Sequence, residues 1–126
     1  MLTCFNLSDG VSLDEFDTSL RRFSNDLIDQ DLLASTGPVG RRHRHPVMDT
    51  DTERNHEYFF VMCFDDLAQC DEAVKQFQSG RPDMEPDHIA LQTMVHDPVF
   101  ICWEDIPQEH QARTCHNRQP ARNRSR

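Results

Sequence analysis

Glycine is scarce in this chain, with four residues in 126, and none of the four sits in a Gly-rich phosphate loop. No nucleophile elbow and no Ser-His-Asp pattern is present. The five cysteines are odd in number and contain no C-x-x-C pair. Cys4, Cys63 and Cys102 lie inside apolar runs, where a thiol behaves as a small hydrophobe. Free thiols, no disulfide framework and a reducing, cytoplasmic setting are therefore expected. Long apolar runs are also missing. The longest, Tyr58 to Phe64, falls far short of the roughly 20 residues that span a bilayer. The start MLTCFNLSDG has no basic n-region, so no signal peptide is expected. Positive charge is short as well, with a formal net charge of −9. Five arginines and one acid give residues 107–126 a charge of +4, which leaves −13 on residues 1–106. A body of that sign repels phosphate backbones, so neither nucleic acid nor membrane is an expected partner.

What is present reads as one domain, residues 1–106, followed by a basic tail, 107–126, in which the apolar pattern stops and disorder is expected. Residues 2–7, LTCFNL, form a short apolar strand ending at Ser8-Asp9-Gly10. Ser12 and Glu15 match a capping box, and Leu13, Phe16, Leu20, Phe23 and Leu27 continue as one helical stripe to about Asp29. The stretch 32–45 is interrupted by Gly37-Pro38 and Gly40, which suits an irregular edge strand. A polar loop, 46–56, leads to a strong strand, 57–64, EYFFVMCF. A second helix starts at Asp66 and is placed to end at Gly80. After a loop at 81–87, Asp87 is positioned to cap a short helix that Pro98 ends, and 99–103, VFICW, is the last strand. The order is β-α-β-β-α-(α)-β. That is the ferredoxin-like α+β layout: a four-stranded antiparallel sheet with its helices on one face.

The strong strands do not alternate apolar with polar residues, as a strand with one wet face does. Tyr58, Phe60, Met62 and Phe64 oppose Phe59, Val61 and Cys63; Leu2 and Cys4 oppose Phe5 and Leu7; Val99, Ile101 and Trp103 oppose Phe100 and Cys102. Helices on one side cover one face only. The other face is expected to close against a second copy in a two-fold homodimer, unless the third helix or the tail folds over it.

Chemistry-bearing residues are few. Arg41, Arg42, His43, Arg44 and His45 form the one basic cluster of the body. In an extended segment Arg41, His43 and His45 share a side and could present a cationic rim to a small anion. The competing reading pairs these charges with Asp49, Asp51, Glu53 and Glu57, each exposed pair contributing about 0–1 kcal/mol. His43-x-His45 with Asp49 and His56 could hold a metal, but no second histidine motif completes such a site, so none is assigned. Asp49-x-Asp51-x-Glu53 begins like a calcium loop, yet Arg54 stands where the turn needs glycine and Phe60 where the shell needs a carboxylate. His96 reads as a helix-end histidine and Trp103 as core or interface. No cofactor motif is found.

The start MLTCFNL, the stretch STGPVGRR, the segment MDTDTERNHEYFFVMCF and the ending HDPVFICWEDI are similar to an uncharacterised bacterial family of dimeric α+β-barrel proteins. The resemblance covers roughly residues 1–106. It implies a cleft between helices and sheet, but no chemistry, because that superfamily holds cofactor-free monooxygenases, lactone isomerases, haem-binding enzymes and stress-response proteins. The expected function is a dimeric binding protein for a small apolar or anionic molecule. The alternatives are a cofactor-independent oxygenase or isomerase on an aromatic or polyketide-like substrate, and a structural interaction module. Arg41, His43, His56 and Trp103 are the candidate ligand-binding residues.

Overall fold

The computed structural model describes residues 1–80 and 85–106. The elements in order are β1 (Leu2–Leu7), α1 (Leu13–Asp29), β2 (Ser35–Thr36), β3 (Gly40–Arg41), β4 (Tyr58–Cys63), α2 (Leu67–Gln78), α3 (Glu85–Met94) and β5 (Val95–Ile101). The sheet order is β2-β4-β1-β5, with β3 also paired to β4, and every pairing is antiparallel. β2 and β3 are two pieces of a single edge strand, broken at Gly37-Pro38 because proline cannot donate to a ladder. This is the ferredoxin-like α+β arrangement that the element order implies.

Local chemistry accounts for the helix ends. Ser12 Oγ accepts from the Glu15 amide at 3.1 Å, and Glu15 Oε1 accepts from the Ser12 amide at 3.0 Å, a complete capping box. α1 ends in a Schellman turn: the Leu32 amide reaches the Leu27 carbonyl at 2.8 Å and the Asp31 amide the Ile28 carbonyl at 3.0 Å. The left-handed position of that turn falls on Asp31, at φ 61°, where glycine is the usual occupant. Asp66 caps α2 through the Gln69 amide at 2.8 Å, and Gly80 follows with φ 67°.

The core lies between the helices and one face of the sheet. Phe5 and Phe60 meet Phe16 of α1 at ring separations of 4.7 and 6.1 Å. Ala73 of α2 and Leu91 of α3 join the same buried cluster.

Three expectations need correction. α3 begins at Glu85, upstream of Asp87, and ends at Met94. β5 then starts at Val95 and runs through His96-Asp97-Pro98, so Pro98 lies inside a strand and Trp103 lies beyond it. An edge strand tolerates this proline, since its missing N–H can face away from the ladder. The third correction concerns Cys63, which is disulfide-bonded. The apolar run around it suggested a free thiol. Cys4, Cys70 and Cys102 are free. The expected tail, 107–126, lies outside the described residues. No described helix is long and apolar enough to cross a membrane.

Candidate functional site

Strand register sorts the sheet residues onto two faces. Leu2 pairs with Val61 and Ile101, and Cys4 pairs with Phe59 and Val99, so these six side chains share a face. Thr3 and Phe5, paired with Phe60 and Tyr58, share the other. All three described helices send their buried side chains to the Phe5 and Phe60 side. The opposite, outer face keeps Leu2, Cys4, Val61, Val99 and Ile101 half-buried and Phe59 exposed. The Phe59 ring packs over Gly40, where an added Cβ would stand 2.2 Å from it.

The basic segment is mostly neutralised within the chain. Arg42 clamps Asp49 with Nε to Oδ2 at 2.7 Å and Nη2 to Oδ1 at 2.8 Å, and it also donates to the carbonyls of Asp51 and Arg54. Arg44 pairs with Glu57 at 2.7 Å, and Arg54 with Asp51 at 2.6 Å. The Arg54 guanidinium and the amides of Glu53 and Arg54 hold the Asp51 carboxyl down at about 2. The Arg42 fork similarly lowers Asp49. Arg42 thus pins the 42–57 excursion to the sheet edge. Arg41 is exposed, its guanidinium 5.8 Å from the Tyr58 ring centroid, a cation–π distance. His43 is exposed, 5.9 Å from His45 between ring centroids. The His45 Nδ1 accepts from the amides of Val47 and Met48. Among the described residues no group of three His, Cys, Asp or Glu side chains could hold a metal ion.

The four candidate ligand residues do not converge. Trp103 is 73% exposed beyond Ile101, at the end of the sheet where β1 begins. His56 is buried at the other end, beside Asn6 and Asp97. Its Nε2 lies 2.7 Å from the Asp97 carbonyl. A carbonyl only accepts, so Nε2 is the donor in this bond. Its Nδ1 is buried, with no hydrogen-bond partner among the described residues. The pairing of β1 with β5 slips between Cys4 and Asn6, and Asp97 adopts φ 52° there. Asn6 ties the neighbouring loop to the sheet: Oδ1 accepts from the Glu57 amide at 2.9 Å and Nδ2 donates to the Asn55 carbonyl at 3.2 Å. Between these groups is a hollow of about 570 Å³.

A second, more apolar groove of about 460 Å³ runs between α1 and the broken edge strand. Leu13, Leu20, Pro38 and Val39 line it, and Gly37 forms part of its wall. Its one cation, Arg21, pairs with Asp17 on the same helix. Neither cavity was legible in the sequence, although Gly37-Pro38 marked the break that opens the groove.

No family model and no curated protein matches the chain. Among solved structures, it is similar to At3g17210 from Arabidopsis thaliana, with a TM-score of 0.63 and 11% identity over 83% of this chain and 92% of that one. It also matches a dimeric protein of unknown function and ferredoxin-like fold from Bacteroides fragilis, with a TM-score of 0.40 and 15% identity over 78% and 86% of the two chains. At such identities the first likeness speaks for the fold alone.

Proposed function

We propose that the protein is a homodimeric α+β-barrel binding protein, closed by its outer sheet faces, that holds a small apolar molecule in the groove between α1 and the edge strand. The observation that carries this reading is the register that puts Leu2, Cys4, Phe59, Val61, Val99 and Ile101 together on the face without helices. If each copy buries about 400 Å² of apolar surface there, the gain is about 20 kcal/mol, above the roughly 4–15 kcal/mol cost of association. Two-fold symmetry satisfies both copies with one patch and leaves no further apolar face to propagate. An apolar ligand fits the groove better than an anion, because Leu13, Leu20, Pro38 and Val39 line it, Asp14 and Asp17 repel negative charge, and Arg21 already has a carboxylate.

Two variants test the two halves separately. Val61→Asp places a carboxylate from each copy in the interface and is expected to give a folded monomer by light scattering. A Val61→Asp protein that stays dimeric contradicts the interface. A Cβ at Gly37 meets nothing within 4 Å, so Gly37→Trp can fill the groove without disturbing the backbone. Wild type is expected to enhance the fluorescence of the neutral probe N-phenyl-1-naphthylamine, and Gly37→Trp to abolish the effect. Equal enhancement by both proteins removes the groove from the account.

A further inference from the structure

We propose that the 42–57 excursion is an arm of the dimer interface, whose exposed tip, Val47 and Met48, packs against a second copy of this chain. The proposal rests on the pairing of outer sheet faces and adds to it a contact outside the sheet.

Strand alternation sets the side on which the excursion lies. Gly40 pairs with Phe59 on the outer face, and Arg41 pairs with Tyr58, which packs against the core. The Arg42 amide reaches the Glu57 carbonyl at 2.8 Å, so the ladder runs one residue further and the Arg42 side chain falls on the outer side. From there it holds Asp49 and the carbonyls of Asp51 and Arg54. On β1, Leu7 packs against the core, which puts its neighbour Asn6 on the outer side as well. Asn6 in turn holds Asn55 and Glu57. Two anchors from two strands thus fasten the excursion on the side without helices, the side that a second copy approaches.

The tip is ordered and apolar. The Asp49 amide closes a turn onto the His45 carbonyl at 3.1 Å, and His45 Nδ1 accepts from the Val47 and Met48 amides at 3.1 and 3.0 Å. Val47 is 71% exposed and Met48 80%. Apolar side chains on a turn already fixed lose less conformational freedom when they dock. The arginines behind the tip are paired, Arg42 with Asp49, Arg44 with Glu57 and Arg54 with Asp51, so docking strands none of them.

Area identifies the occupant. A permanent homodimer buries roughly 1,000 Å² or more per copy, about 65% of it apolar. The outer sheet face, at about 400 Å² of apolar surface, falls short of that. Val47 and Met48 would add about 150 Å², more than half of the shortfall, from an arm that already lies on the correct side.

Sedimentation equilibrium of the full-length chain reads the dimer dissociation constant. The Val47→Ser/Met48→Ser double variant is expected to stay folded by circular dichroism and to dissociate at least tenfold more readily than wild type. Leu67→Ser, at a residue 71% exposed on the helix side, should shift the constant less than twofold. A second readout follows the tip itself. In protein with isotope-labelled methionine methyls, the Met48 methyl should be shielded from a soluble gadolinium chelate in wild type and open to it in monomeric Val61→Asp. A constant unchanged within twofold in the double variant, or an equal loss in Leu67→Ser, overturns the proposal and leaves the paired sheet faces standing. A Met48 methyl equally shielded in Val61→Asp also overturns it, since the chain would then cover its own tip. A monomeric wild type, or a Val61→Asp protein that stays dimeric, removes the paired faces and the arm with them.

Discussion

Replacing Gly40 with alanine tests how the outer face is built. A Cβ at this position would stand 2.2, 2.5 and 2.9 Å from the Cε1, Cζ and Cδ1 atoms of Phe59. Carbon atoms cannot approach so closely, so the ring must swing away from the sheet. Phe59 is 38% exposed in place, and the displaced ring would expose about 100 Å² more, a loss of about 2.5 kcal/mol. Alanine by itself is no worse than glycine in a strand, so the whole penalty should come from the ring. Urea denaturation of wild type, Gly40→Ala, Phe59→Ala and the double variant isolates that contribution. All four must be compared at one protein concentration, because dimerisation couples to stability. In the Phe59→Ala background the Gly40→Ala cost should fall below about 0.5 kcal/mol, leaving a coupling energy of about 2 kcal/mol. An equal cost in both backgrounds would refute the reasoning, since the ring would then not be what alanine displaces.

Three further outcomes follow from particular residues. Asp31→Gly should stabilise by about 0.5–1 kcal/mol in chemical denaturation, since φ 61° suits glycine and the turn keeps its amide bonds. Burial, then a hydrogen bond and charge repulsion from Asp87, raises Asp26 above the ordinary carboxylate range. A raised folded value favours folding only while the carboxyl is protonated, and that advantage is lost as pH climbs through it; Asp26→Asn should therefore raise the melting temperature at pH 7 and have little effect near pH 3. Asp51, held at about 2, shows the opposite sign: its contribution is present above the ordinary aspartate range and is lost as pH falls toward 2. The amide signals of Glu53 and Arg54 should report that release in an NMR acid titration, and movement complete by pH 4 would contradict it.

The sequence made much of the scaffold readable because its determinants are local. The Ser12–Glu15 capping box, the Phe16-to-Leu27 stripe and the Asp66 cap each act within a turn or two, and the structure shows all three. The two-sided apolar character of β1 and β4 was likewise visible from strand period alone. Pairing of Arg42 and Arg44 with Asp49 and Glu57 could be foreseen from charge order. The hollow was not, because it rests on contacts between Asn6 and Asn55 and between His56 and Asp97, partners 49 and 41 residues apart. β5 was read too late because Pro98 looked like a helix stop, when an edge strand accommodates it. His56 was singled out for a metal or ligand role, but sequence spacing grouped it with Arg41 and His43, whereas the fold sets it against Asp97.

Sedimentation equilibrium of the wild-type chain over a wide concentration range tests the central claim most directly. A two-fold pair joined by the outer faces predicts a mass of twice 14.7 kDa that dissociates only on extreme dilution. A folded species of 14.7 kDa at every concentration, with Val61 and Ile101 open to solvent, would contradict it.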